Sequence, residues 1–213
     1  MKSRQTVLPL RLIFWGGILC VFDITFSETV SHNGRIVSGF RFDILNDFAG
    51  MLLITVGALK LSRFNIDISY RRSMQFVMAC CILNCVTALL WHFVFQPLDF
   101  YSIGLNLLGL ATLGSTVLFC TAMYRLSNEF SLNRSAKSWI TTRILVLLLW
   151  VIPLGLVHIA GLAAFIFGQS FHLDLGVFGI PLLLPMVIPL VHLFVSTTRM
   201  QREAAVHPQN IAA

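Results

Sequence analysis

The sequence predicts an all-α fold: a polytopic bundle of six transmembrane helices joined by short loops, one membrane domain over residues 1–213. Three observations lead there. Apolar residues make up 57% of the chain and charged residues only 11%, against about 25% charged in soluble domains. The apolar residues gather into runs of spanning length. Lysine and arginine collect in every second linker, as the positive-inside rule requires of a multi-span protein.

A spanning helix needs about 20 mainly apolar residues. Runs near 44–61, 73–95, 103–126, 144–167 and 177–195 meet that requirement, and 8–26 is the sixth. The N-terminal segment, the linkers near 60–72 and 125–143, and the C-terminal tail carry 13 of the 15 basic residues, leaving Arg35 and Arg41 for the alternate loops. Both termini are therefore expected on the cytoplasmic side of a plasma or inner membrane. Trp15, Tyr70, Tyr124 and Trp139 mark the inner boundary of the expected aromatic belts, and Trp91 and Tyr101 the outer one. The formal charge of +6 is then a consequence of topology, and a nucleic-acid partner is not expected.

The first helix has a second reading. Its uncharged core, Leu12–Phe22, follows Lys2, Arg4 and Arg11, and Thr25 and Ser27 are small residues suited to a cut, so the segment also reads as a secretory signal peptide. Cleavage would leave five spans and an outside N-terminus. After it, Asn33-Gly34 is the preferred pair for a type I′ turn. A turn there sets Val30 opposite Val37 in a small hairpin within the first outer loop.

Helix 44–61 opens with Asp43, Asn46 and Asp47. An acid at a helix start caps free N–H groups and suits the positive end of the dipole, which accounts for Asp43. Asp47 asks for more. From Phe48 to Leu59 there are 12 uncharged residues, roughly 18 Å of helix against a hydrocarbon core of about 30 Å. Asp47 then lies at the hydrocarbon edge, where an acid needs a bundle interior, a wet cavity or a partner. Asp23, His92 and His158 are expected at comparable depth, with His172 and Asp174 in the last outer loop. These outer acids and imidazoles, with Asn46, are the candidate ligand- or ion-binding residues.

No diagnostic metal spacing is present, and the metal is unknown. Bis-His haem ligation is disfavoured because His92 lies about 30 Å along its helix from Arg72, and His158 about 22 Å from Arg143. No cofactor is expected. The absence of a Gly-rich phosphate loop argues against nucleotide binding. Ser115 and His192 do not form a protease pair, since Gly114-Ser115-Thr116 lacks a Gly-x-Ser-Gly pattern and both lie deep. All five cysteines fall within apolar runs.

Two helices carry further signals. Cys81, Asn84, Cys85, Ala88 and His92 follow helical spacing, and Asn84 is expected to bond Asn106 on the next helix as interhelical glue. The last helix spaces Pro181, Pro185 and Pro189 four apart, which denies the carbonyls of Val177, Pro181 and Pro185 their usual donors. The expected repair is by neighbouring Ser, Thr or Asn. The alternative is a carbonyl-lined path or a gate. Pro153 kinks the fifth helix.

The function expected first is a non-catalytic membrane subunit or assembly factor, partnered by the bilayer and by other membrane subunits or further copies of itself. The alternatives are an ion or small-solute transporter using Asp47 and the proline face, and a membrane enzyme with an outer Asp/His site.

Overall fold

The computed structural model describes residues 3–21, 25–32, 35–43, 47–91, 99–168 and 179–206. Six helices run among them. After a short 3-10 turn, α1 spans Val7–Val21, α2 Asp47–Ser62 and α3 Ile68–Trp91. They are followed by α4 (Asp99–Glu129), α5 (Asn133–Ile166) and α6 (Gly179–Val206). Each helix packs on the next, and α6 returns to α1, closing a ring.

Two helices are long and apolar enough to cross a membrane: Ile103–Glu129 within α4, mean hydropathy 1.8, and Asn133–Ile166, mean hydropathy 2.5. Only 17% and 11% of their most apolar stretches are buried. A core helix of a soluble protein would be mostly covered, so these two present apolar surface outward. Helix α2 is shorter, with Phe48–Ser62 apolar.

Between α1 and α2 a hairpin pairs β1 (Thr25–His32) with β2 (Arg35–Asp43) antiparallel. Its register corrects the expected one. Val30 pairs with Ser38, and Ser31 pairs with Ile36 across a bulge. Val37 is thus the extra residue on β2, and one inserted residue shifts the partner by one. The ladder also holds the backbone through Asp43, opposite Thr25. Asp43 therefore ends a strand instead of opening α2, which begins at Asp47.

Helices α1 and α2 touch backbone to backbone through glycines. A Cβ on Gly16 would sit 2.5 Å from the Gly50 carbonyl oxygen, and one on Gly57 would sit 2.8 Å from the Pro9 oxygen. Such small residues let helices approach where lipid offers no hydrophobic drive.

The tightest core lies at the end of the bundle that carries the basic linkers. Leu10, Leu61, Tyr70, Met74, Met123, Leu126, Leu132, Trp139 and Met200 are fully buried there. Tyr70 and Trp139 stand at that basic end with their rings turned into the protein. The Tyr70 hydroxyl donates to the Leu61 carbonyl at 2.8 Å, and the Trp139 indole N–H donates to the Met200 sulfur at 3.3 Å. Both rings fill helix contacts because their polar tips find partners inside the protein. Trp15 remains well exposed.

Helix α5 begins at Asn133, one α4–α5 turn after Glu129. Ser131 in that turn adopts φ 56°, and the Leu132 N–H bonds the Ser127 carbonyl at 2.8 Å, a helix-ending geometry usually given to glycine. Ahead of Pro153, residues Leu147–Val151 form one π turn, with the Ile152 N–H bonding the Leu147 carbonyl. A wider turn is a known way to absorb a proline's missing donor.

Candidate functional site

Polar side chains on the helices meet at three levels. The first is a cavity of about 170 Å³ among α1–α4, lined by Met51, Ile54, Cys81, Asn84, Thr112 and Ser115 among others. The Asn84 amide N–H donates to the Thr112 hydroxyl at 2.9 Å and to its own-helix Cys80 carbonyl at 2.8 Å. Thr112 in turn donates to the Leu108 carbonyl at 2.8 Å. Thr55 of α2 lies 3.7 Å from the Cys85 sulfur, so α2, α3 and α4 are linked around the cavity by side-chain contacts. The space is large enough for a few water molecules.

The second level joins α4 to α5. His158 Nδ1 lies 3.0 Å from Asn106 Oδ1. An amide oxygen only accepts, so Nδ1 carries the proton and donates. Glycine makes room on both sides. A Cβ on Gly109 would overlap the His158 imidazole, and one on Gly161 would stand 3.1 Å from Asn106 Oδ1. The expected Asn84–Asn106 contact is therefore corrected: Asn84 bonds Thr112, and Asn106 bonds His158.

The third level joins α5 to α6 near the basic end. Ser138 and Ser196 hydroxyls are 2.7 Å apart, Ser196 and Thr142 are 2.7 Å apart, and Thr142 is 2.7 Å from His192 Nδ1. Thr142 can also donate to the Ser138 carbonyl at 2.9 Å. The contacts among Thr142, Ser196 and His192 Nδ1 have no fixed direction, since either partner can donate. The network is a lock between helices. Ser115 takes no part, since its hydroxyl donates to the Thr112 carbonyl at 2.8 Å.

Below this lock Glu203 of α6 reaches the start of α5. Its carboxylate accepts from the Arg134 N–H at 3.3 Å, the Ser135 N–H at 2.9 Å and the Ser135 hydroxyl. Leu132 at the N-cap has no capping side chain, so an acid from another helix supplies the cap.

At the α2–α3 connection, Asp67 accepts from the Tyr70 N–H and pairs with Arg125 of α4 at 2.8 Å. The Tyr70 N–H first, and then the Arg125 guanidinium, hold the Asp67 carboxyl below its usual range. Asp67 and Glu203 were missed as site residues. Asp67 could have been found from its place just before Ile68, the first residue of α3. Glu203 carries no local signal.

Of the other expected residues, Asp23, Asn46, His92, His172 and Asp174 lie outside the described residues. Asp43 and Asp47 are described in backbone alone, as the end of β2 and the start of α2. Pro181, Pro185 and Pro189 all fall in α6, where Pro185 is exposed and Pro189 buried. Close to them the Trp150 indole N–H donates to the Met186 carbonyl at 2.7 Å. The Met186 carbonyl is not one of those the prolines deprive, since Leu190 four residues on keeps its N–H, so this bond ties α5 to α6 and repairs none of them. Among the described residues, no three His, Cys, Asp or Glu side chains come together.

Comparison with known proteins finds no match: no family model, no curated protein and no solved structure is similar to this chain.

Proposed function

We propose that the chain is a multi-pass integral membrane protein of a plasma or inner membrane, a non-catalytic subunit or assembly factor of a larger membrane system. In this reading all six helices cross the bilayer, with both termini cytoplasmic. The observation that carries it is how the polar side chains inside the ring are used. Asn84, Asn106, His158, Ser138, Thr142, Ser196 and His192 bond from helix to helix, as interhelical glue in lipid does. Large apolar residues such as Leu107, Leu148, Leu156 and Val191 face outward, suited to lipid or to neighbouring subunits. The burial of Thr6 and Leu10 in the core supports a retained first helix.

A second reading, transport of an ion or small polar solute, draws on the cavity at Asn84 and Thr112. Asp47 stands one helical turn before Met51, a cavity-lining residue, and Pro181, Pro185 and Pro189 would serve as a gate. Reconstitution of the purified chain into liposomes separates the two. Under the first reading, Asn84→Ala lowers the abundance of the chain and its partners together, and the liposomes show no selective flux. Normal abundance with a flux whose ion or proton dependence changes in Asp47→Asn would overturn it in favour of the second.

A further inference from the structure

At the basic end, a groove of about 880 Å³ opens between α1, α5 and α6. Phe14, Phe194 and Val195 form its apolar wall, and Arg134, Arg199 and Arg202 line it as well. The rings of Phe14 and Phe194 meet edge to face at 5.2 Å, which joins α1 to α6 along one side. One face of α6 changes character as it passes the groove. Ile188, Val191 and Val195 are 50%, 53% and 42% exposed, and one turn further on the same face presents exposed Arg199 and then Arg202. A turn advances 5.4 Å, so apolar surface gives way to cationic surface over a short depth.

Three guanidinium groups share the groove with one carboxylate, so positive charge is in excess there. Glu203 is the acid lining the groove, and its carboxylate is engaged by Arg134 N–H and by Ser135. The ion pair present among the described residues is Asp67–Arg125, so none of the three groove arginines has a carboxylate partner there.

We propose that this groove binds one anionic phospholipid of the inner leaflet. The phosphate lies among Arg134, Arg199 and Arg202, whose planar forks match phosphate oxygens, and an acyl chain lies along Phe14, Phe194 and Val195. A free phosphate would leave the aromatic wall unfilled, and an acidic peptide would leave the apolar face of α6 uncovered. Basic pockets between helices on the cytoplasmic side bind anionic headgroups in this way. The site rests on the membrane reading above.

The test is native mass spectrometry of the full chain with phosphatidylglycerol and phosphatidylcholine supplied in equal amounts. One phosphatidylglycerol is expected to bind preferentially, weakened about fivefold for each guanidinium removed. R199Q/R202Q is expected to lower the preference about 25-fold, while R71Q/R72Q, with the same charge loss on exposed α3 positions, keeps the preference. Equal weakening in both double variants, or undiminished preference in R199Q/R202Q, would overturn the site. Competition by glycerol 3-phosphate at the lipid's own affinity would overturn the lipid assignment. If R199Q/R202Q does not fold, Arg134→Gln alone must lower the preference about fivefold, and no change would overturn the site. Alkaline extraction of the membranes separates the two claims. A chain released into the wash refutes the membrane reading and the site together. A retained chain without lipid preference refutes the site alone.

Discussion

The imidazole of His158 occupies space that an alanine at position 109 would fill, and Asn106 reaches across α4–α5 to hold it. Gly109→Ala is therefore expected to destabilise the protein by about 1–3 kcal/mol, the usual range for overpacking, as read by thermal unfolding in detergent. Adding His158→Ala should restore part of the loss, because the two changes share one volume. Asn84 and Asn106 were both legible as polar positions, and their partners were not. Asn106 and Thr112 are six residues apart, about 240° around a helix, so they face different neighbours. Helical spacing identifies a face without saying which helix lies against it. Asp67 has a pH signature. The fold favours its ionised form, so its contribution is present above the ordinary value near 3.8 and is lost as pH falls through the lowered folded value. Asp67→Ala should thus melt below the wild type at neutral pH, and the gap should close on acidification below that value.

Helix ends follow different rules from membrane spans. The expected fifth and sixth spans covered 144–167 and 177–195, whereas α5 and α6 occupy Asn133–Ile166 and Gly179–Val206. Reading spans from hydropathy stops at the first charges, but Arg and Lys are good helix formers, so the helices continue past Arg143 and Arg199. These extensions carry the Ser138–Ser196–Thr142 lock and the Glu203 cap. Because the cap comes from another helix, Glu203→Ala should fray the start of α5, with faster hydrogen exchange at Arg134 and Ser135 and a stability loss of about 1 kcal/mol. Unchanged exchange there would remove Glu203 from the cap. The Asn33-Gly34 signal identified the hairpin, while the bulge at Val37 had no sequence mark, and with it went the register.

Across the whole molecule, the sequence's six apolar runs correspond to six helices among the described residues, and α6 closes on α1 to leave the apolar surface outside. Composition and charge placement made the helical class readable because bulk hydropathy reports on the surrounding solvent. The interior contacts depend on rotation and depth, which one sequence does not encode locally. The proposed function makes this bundle a component of a larger membrane assembly, with its first helix retained. Native mass spectrometry of the untagged protein, gently extracted from its own membrane, puts this to the test. A chain mass near 23.9 kDa is expected, with a second polypeptide, or another copy, bound in fixed stoichiometry. A solitary chain under every gentle extraction, or one lighter by roughly 3 kDa through loss of a signal peptide, would contradict it.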